Sequence, residues 1–295
     1  AIAKGEARLV IGTHALIQKH VTFQRLGLVI IDEQHRFGVL QRMVLRQKGG
    51  SPHVLVMTAT PIPRTLAMTV YGDLDVSVID ELPPGRTPVQ TRIIHAKQRH
   101  KAYELLRQEF TQGHQAYIIY PLVEESEKSD LRDVTSMTEH LGKEIFPDIP
   151  LAMLHGRMPA EEKQKIMAAF ANKQLQLLVA TTVIEVGIDV PDATVMVVEH
   201  PERFGLSQLH QLRGRVGRST HASYCLLIYE GGGLETRQRL AIMEQSNDGF
   251  RIAEEDLRLR GPGDLIGLQQ AGFLDLKLAN LVRDAETLAA ARRAA

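Results

Sequence analysis

The 295-residue sequence has a formal net charge of zero, is 44% hydrophobic and 24% charged, and contains one cysteine. This composition is typical of a globular protein of about two domains, and the balanced charge excludes a surface that is basic throughout. The single cysteine, Cys225, excludes an internal disulfide framework and a cysteine metal site, and we expect it to be a buried core thiol. No apolar run reaches the roughly 18 residues of a membrane span, and no signal peptide opens the chain, so we predict a cytoplasmic protein. Because Trp is absent and other aromatic residues are few, we expect any nucleic-acid contact to go to phosphates rather than to stacked bases.

Short apolar segments rich in Val, Ile and Leu alternate with helical patterns along the chain. Most of these segments are continuous, which is typical of parallel strands covered on both faces. The predicted strands are Leu9–Gly12, Leu26–Ile31, His53–Met57, Val76–Ile79, Thr91–Ile94, Gln115–Tyr120, Leu151–Leu154, Gln176–Ala180, Thr194–Glu199 and Ser223–Tyr229. Helices are predicted with Pro159 as a first helical residue and over Leu234–Ser246, Phe250–Leu259 and Leu274–Arg293. The alternation predicts an α/β fold with a mostly parallel sheet.

Proline and glycine cluster between Glu81 and Pro88, which predicts a boundary between two α/β domains. We predict one domain over residues 1–84, a linker over 85–91 and a second domain over 92–230. Residues 231–295 carry only helical patterns, which predict a helical hairpin, a glycine-rich loop at Gly261–Gly263 and a C-terminal helix.

The sharpest chemical motif follows the apolar run Leu28–Ile31, which ends in the adjacent carboxylates Asp32 and Glu33. Ligands of parallel α/β sheets bind beyond the carboxyl ends of the strands. In a Walker-B arrangement Asp32 would hold Mg²⁺, Glu33 would act as general base toward water, and Gln34 and His35 would sense the γ-phosphate. A solvated strand end is the alternative.

Two further strands end in paired hydroxyls. Thr58 and Thr60 follow one strand, where they could hydrogen-bond the carboxylates and connect the site to neighbouring loops. Thr181 and Thr182 follow another, where hydroxyl and backbone N–H groups at the start of a helix could meet a DNA phosphate. An ordinary turn and an ordinary helix cap are the respective alternatives.

The segment Gln208–Arg218 contains three arginines interrupted by glycines. Arg215 and Arg218 are three residues apart, so we expect them to face one side of a helix end and to contact phosphate. An arginine finger of this kind stabilises charge on a transferring γ-phosphoryl group. Upstream, Gly187 would permit a close backbone approach, and Asp189 could contact a ribose or a motif arginine. A solvated basic helix is the alternative.

Taken together, the motifs occur in the order DEQH, TAT, TTVIEVGIDVP and QLRGRVGR, on two α/β units joined by a proline-rich linker. This order resembles superfamily 2 helicases, which have two RecA-like domains with ATP between them. Finer matches resemble RecG-type helicases and the related Mfd translocases, at Ile11–Ile17, Asp32–Val39, Thr58–Leu66 and Arg260–Gly272. Tyr71–Asp75 and Asp80–Arg86 are closer to the RecG type.

The resemblance implies an ATP-dependent DNA helicase that translocates on duplex DNA and acts on replication forks and Holliday junctions in recombination and repair. Its cofactors would be ATP and Mg²⁺, and its fold would be two RecA-like lobes, the first incomplete, with a C-terminal helical hairpin. The resemblance gives catalytic roles to Glu33, Arg215 and Arg218, and nucleotide- or Mg²⁺-binding roles to Asp32, His35, Gly187, Asp189 and Gln211. It gives DNA-binding or coupling roles to Thr13, His14, Thr58, Thr60, Thr181, Thr182, Arg260 and Gln270.

The same resemblance implies a monomer that acts on branched double-stranded DNA, with single-stranded DNA-binding protein as a further partner and no membrane contact. The expected location is the bacterial cytoplasm, in association with the nucleoid.

One departure concerns the phosphate cradle, because no G-x-x-x-x-G-K-[ST] motif occurs in the chain. We therefore expect residues 1–84 to be the C-terminal half of a RecA-like domain, and the chain to be a fragment that does not hydrolyse ATP by itself. A natural ATPase-dead homologue is the alternative. Two other functions stay open, an Mfd-like translocase acting on stalled RNA polymerase and a catalytically dead DNA-binding module.

Overall fold

The computed structural model describes residues 1–18, 20–33, 48, 52–59, 75–79, 81–83, 85–121, 127–181, 189–231, 233–260, 287, 290 and 294. The chain divides into two compact units, residues 1–65 with 260–295, and residues 66–259. The glycine-rich loop predicted at 261–263 and most of the predicted helix over 274–293 lie outside the described residues.

In the first unit, β1 (Leu28–Ile31) and β2 (His53–Val56) pair in parallel, with Leu28 opposite His53 and Ile31 opposite Val56. Val29 and Ile31 are buried, whereas Leu28 is 56% exposed and Ile30 57% exposed. The expectation that both faces of this strand are covered is therefore wrong. The apolar cluster around Val29 and Ile31 lies on one face of the pair and leaves the alternate residues in solvent.

Two predicted strands are absent from the structure. Leu9–Gly12 and Val76–Ile79 are both irregular, and Leu9, Ile11 and Ile79 are each more than three-quarters exposed. An apolar run forms a strand only where a neighbouring strand supplies hydrogen bonds, and neither segment has one among the described residues.

The second unit is built on a parallel sheet of six strands. They are β3 (Gln90–His95), β4 (Gln115–Ile119), β5 (Leu151–Leu154), β6 (Leu177–Ala180), β7 (Ala193–Glu199) and β8 (Tyr224–Tyr229). Their order across the sheet is β3-β8-β7-β4-β6-β5, and every neighbouring pair is parallel. From β4 the chain passes to β5 at one edge of the sheet and comes back to β6 beside β4. It then crosses to β7 and β8 on the other side of β4, so the direction of the connections reverses between β4 and β7. This arrangement confirms the predicted α/β class.

In the part of the chain that the structure describes, six α-helices accompany this sheet. They are α1 (Arg99–Thr111), α2 (Glu127–His140), α3 (Ala160–Ala171), α4 (Leu206–Arg213), α5 (Leu234–Gln245) and α6 (Gly249–Arg260). A π-helical turn at Leu141–Ile145 follows α2. Pro159 is the N-cap of α3, so its prediction as the first helical residue is wrong by one position. None of the described helices has the length and apolar character needed to cross a membrane.

Apolar side chains cover the sheet on both faces. Alternate residues of β4 enter two separate clusters, Tyr117 and Ile119 in one and Ala116 and Ile118 in the other. Helices α3, α4 and α5 contribute to the first cluster, and α1 contributes to the second. Burial of both faces is the reason why the strands are continuous apolar runs. Cys225 of β8 is fully buried, and burial raises its pKa to about 12, which confirms the predicted core thiol.

A buried arginine fixes the C-terminal helices to this unit. The Arg213 guanidinium donates hydrogen bonds to the backbone carbonyls of Met243 and Ser246, both at 2.8 Å, and to Thr91 Oγ1 at 3.3 Å. Its Nη2 lies 2.9 Å from His210 Nδ1. Arg213 is 2% exposed, so a single side chain ties α4 to β3 and to the end of α5.

We predict that Phe170→Ala lowers the free energy of unfolding by about 3–5 kcal/mol, because it empties a fully buried site. The Phe170 ring lies 5.0 Å from that of Tyr117, so the cavity would open against the sheet. Urea denaturation measures the change. Leu234→Ala is the control, since Leu234 is 74% exposed and its loss should change stability by less than about 0.5 kcal/mol. Equal effects of the two changes would contradict this packing.

A second prediction concerns pH. Burial, helped by the Arg213 charge, lowers the pKa of His210 from 6.5 to about 4. In the unfolded chain His210 is therefore protonated below about pH 6.5, whereas in the folded chain it stays neutral down to about pH 4. We expect the stabilisation to be complete above pH 6.5 and to fall by about 2–3 kcal/mol as pH drops through this window.

Thermal or urea unfolding between pH 7 and pH 4 tests this expectation. His210→Gln keeps a hydrogen-bond acceptor beside Arg213 but cannot titrate, so its stability should depend less steeply on pH. The same slope in parent and variant would show that His210 is not the responsible group.

Candidate functional site

The predicted carboxylates lie at the carboxyl edge of the β1–β2 pair. Asp32 follows β1 and is exposed, and the Glu33 backbone N–H donates to Asp32 Oδ1 at 2.8 Å. Glu33 is partly buried and has a φ of 51°, the left-handed region that non-glycine residues seldom adopt.

Thr58 lies at the same edge as Asp32. The pairing of Ile31 with Val56 is continued by a hydrogen bond from the Met57 N–H to the Ile31 carbonyl, 2.8 Å long, and Thr58 comes next. Thr58 is exposed. Thr13 and His14, in the same unit, are also exposed, and His14 begins a short 3₁₀ turn that ends at Ile17.

The predicted phosphate-binding arginines lie in a loop rather than on a helix. Helix α4 ends at Arg213, so Arg215 and Arg218 follow it, and the expectation that they share one face of a helix end is wrong. The helix is already capped at Gly214, and Gly217, with a φ of +73°, keeps the segment between the two arginines out of helical geometry. Gln211 lies in the last turn of α4 and is partly buried.

Arg218 is held in place by a specific contact. Its Nη1 lies 3.1 Å from Asp189 Oδ1, and its Nε donates to the Gly214 carbonyl at 3.3 Å. The Arg218 side chain is 20% exposed, so part of the guanidinium stays open to solvent. Of the two contacts considered for Asp189, the one with a motif arginine is confirmed.

Tyr117 of β4 lies close to these charges. Burial raises the pKa of Tyr117 to about 12, while the positive charges of Arg218 and Arg215 act in the opposite direction and Asp189 adds to the rise. The structure therefore brings Arg215, Arg218 and Asp189 together beside β4 in the second unit.

Thr181 is placed differently from expectation. It follows β6 and is fully buried, and its backbone N–H already donates to the Leu154 carbonyl at 3.2 Å. Its hydroxyl has no hydrogen-bond partner among the described residues. A DNA phosphate could reach this hydroxyl only if neighbouring residues moved.

Two residues that the sequence analysis missed, His155 and Arg157, follow the strand that pairs with the strand before Thr181. His155 follows β5, and because Leu154 pairs with Ala180, His155 and Thr181 are neighbours at one edge of the sheet. The His155 Nδ1 is buried without a hydrogen-bond partner in the described part of the chain, and burial lowers its pKa. Arg157, two residues on, is exposed. The signal was a His-Gly-Arg sequence directly after a predicted strand.

Five predicted site residues lie outside the described residues, namely His35, Thr60, Thr182, Gly187 and Gln270. Arg260 is the last residue of α6. Among the residues that the structure describes, no group of three or more His, Cys, Asp or Glu could hold a metal ion. A single strand-end carboxylate such as Asp32 nevertheless fits Mg²⁺, which is commonly held by one or two carboxylates together with substrate phosphates.

Comparison with known proteins assigns all three parts of the chain. Residues 1–69 match the DEAD/DEAH box helicase family, residues 97–220 the helicase conserved C-terminal domain, and residues 246–295 the C-terminal part of domain 3 of ATP-dependent DNA helicase RecG. The chain is 60% identical over 294 residues to the RecG of Synechocystis sp., covering 100% of this chain and 35% of that protein. It is 54% identical to RecG of Thermotoga maritima, covering 99% and 37%, and 53% identical to RecG of Escherichia coli K12, covering 96% and 42%.

A solved structure of RecG bound to a three-way DNA junction is 49% identical to the chain, with a TM-score of 0.73, and the match covers 97% of this chain and 37% of that one. The chain thus spans between about a third and a half of the length of these relatives. By sequence and by fold it belongs to the RecG family of helicases.

Proposed function

We propose that the chain supplies most of the motor of an ATP-dependent DNA helicase that moves along duplex DNA and remodels branched DNA such as replication forks and Holliday junctions. The observation that carries the proposal lies in the loop that follows α4 and contains Arg215 and Arg218, which we call the arginine loop. Arg218 is held there by Asp189, with its guanidinium partly open to solvent. The relative of known structure was described on a three-way DNA junction, which supports branched DNA as the substrate. Every one of the similar proteins cited above is a RecG, which favours this function over an Mfd-like translocase or a dead DNA-binding module.

ATP hydrolysis supplies the free energy for movement, and the residues of this chain provide part of its site. Asp32 would hold Mg²⁺ through a carboxylate oxygen, and Glu33 would accept a proton from the attacking water. Arg215 and Arg218 would stabilise the negative charge that develops on the phosphate oxygens. His35, Gly187, Asp189 and Gln211 complete the proposed nucleotide site.

Of the proposed DNA-binding residues that the structure describes, Thr58 and Thr181 follow the carboxyl ends of strands β2 and β6. Thr13, His14, Thr58, Thr60, Thr181 and Thr182 keep this role from the sequence analysis. We add His155, because it adjoins Thr181, and Arg157, because it offers an exposed positive charge two residues later. Arg260 and Gln270 are proposed to couple hydrolysis to movement.

The wider assignment follows from the same proposal. The division into a partial RecA-like domain over 1–84, a linker over 85–91, a RecA-like domain over 92–230 and a helical region over 231–295 stays a prediction. So do action as a monomer, contact with single-stranded DNA-binding protein, and a nucleoid-associated location in the bacterial cytoplasm.

The decisive test is Glu33→Gln in the full-length protein. The variant should bind ATP with a Kd within about threefold of the parent, because the amide keeps the size of the carboxyl group. Its kcat for DNA-stimulated ATP hydrolysis should fall by about 10²–10⁴-fold, the usual contribution of a general base. Glu6→Gln, at a carboxylate that is 64% exposed in the same unit, is the matched control. Hydrolysis near the parent rate would refute the assignment of Glu33.

DNA contact at the His155 edge has its own test. Arg157→Gln should weaken binding to a forked duplex. It should also reduce the magnitude of the slope of log K against log salt concentration by about 1, the change expected for the loss of one phosphate contact. Lys173→Gln is the control, because Lys173 pairs with Asp192 at 2.8 Å at the amino end of the strands. Unchanged salt dependence in Arg157→Gln, or the same change in both variants, would exclude the proposed contact.

A further inference from the structure

The predicted linker runs directly alongside the arginine loop. Thr87 Oγ1 donates to the His221 carbonyl at 3.1 Å, and the Gln90 N–H donates to the Ser223 carbonyl at 2.9 Å. Thr87 and His221 are 134 residues apart, the same separation as the paired residues Gln90 and Tyr224. The parallel register of β3 and β8 therefore continues beyond the amino edge of the sheet, into the linker and the segment that follows Arg218.

Gly217 makes this contact close. A Cβ atom on Gly217 would lie 2.6 Å from Val89 Cγ2 and 3.6 Å from the Thr87 carbonyl oxygen. The first distance is shorter than any tolerated contact, and the φ of +73° independently disfavours every side chain. The glycine between the two arginines is thus required by the linker that packs against it.

Arg218 is consequently fixed from two sides. Its guanidinium is held by Asp189 and by the Gly214 carbonyl, and Val89 fills the space beside the preceding residue, Gly217. Three residues later, His221 accepts the hydrogen bond from Thr87. A displacement of the linker by a fraction of an ångström would therefore shift the backbone on both sides of Arg218.

We propose that Thr87 and Val89 are positioning residues that set the place of Arg218 through Gly217 and His221, so that the linker is a working part of the ATP-hydrolysing site. This inference rests on the proposed function, since it assumes that Arg218 acts on ATP. Motion of the linker during the catalytic cycle would then move this guanidinium toward or away from the phosphate. A residue that acts this way affects turnover more than ATP binding, because its effect is on charge that develops in the transition state.

The first experiment compares Thr87→Val with Thr87→Ser in the full-length protein, in the presence of forked duplex DNA. The isosteric Val removes the hydroxyl, whereas Ser keeps it. We expect Thr87→Val to lower the kcat for ATP hydrolysis about tenfold through misplacement of Arg218, with the KM for ATP and the melting temperature close to parent values. Thr87→Ser should retain most of the parent kcat.

Thr111→Val is the matched control, because Thr111 Oγ1 donates to the Gln108 carbonyl at 2.7 Å at the end of α1, another hydroxyl-to-carbonyl bond on the surface of this unit. Its kcat should equal that of the parent. A kcat for Thr87→Val that also equals the parent, or a fall that Thr111→Val reproduces, would overturn the positioning role.

A second experiment uses the close contact itself. Gly217→Ala should lower kcat strongly, and Val89→Ala in the same molecule should restore part of it, because the smaller side chain removes the clash but leaves the unfavourable φ. If Gly217→Ala does not fold, the Thr87 pair still decides the question. Effects of the two changes that simply add, without rescue, would count against the contact. If the parent protein showed no DNA-stimulated ATP hydrolysis, the proposed function would be refuted. If the parent were active and the variants had the same kcat as the parent, only the role of the linker would be refuted.

Discussion

The hydrogen bonds of the buried Arg213 guanidinium join distant elements of the second unit to one another. Burying a charge costs several kcal/mol unless its donors are satisfied, and this one reaches β3, α4 and the end of α5. The last carbonyls of a helix carry partial negative charge, so Arg213 also completes the C-terminal end of α5. Arg239 adds a second connection, since it donates to the Glu202 carbonyl at 2.8 Å. Two arginines therefore join α5 to α4 and to the segment that precedes α4.

Features of the fold that depend on a segment's own residues could be predicted from the sequence, whereas features that depend on distant neighbours could not. The six-stranded sheet was found because burial on both faces makes each strand a continuous apolar run, and Leu151–Leu154 agrees residue for residue. Leu9–Gly12 and Val76–Ile79 failed because a strand also needs a neighbour, which composition does not show. Arg213 was passed over because arginine is normally at the surface. Its position seven residues after Leu206 and four after Leu209, on the apolar face of α4, was the available signal.

In the candidate site, the chemistry was more predictable than the geometry. The sequence identified the carboxylates after β1 and the arginine segment, and it included the contact between Asp189 and Arg218 among its alternatives. It could not show why Gly217 is a glycine, because the reason lies in Val89, far away along the chain. His155 was missed because a lone histidine after a strand is most often an ordinary core residue. Contacts between distant segments, rather than residue types, are what the structure adds.

The fully buried thiol of Cys225 has a practical consequence for labelling experiments that follow motions of the chain. Only the thiolate reacts readily with maleimides, and a group with a pKa near 12, closed off from solvent in β8, presents almost none at neutral pH. A cysteine introduced at an exposed position of this chain would then be its sole labelling point, with no need to replace the native one. Two such cysteines, one in each unit, would carry a fluorophore pair that reports changes in distance while nucleotide and DNA are exchanged.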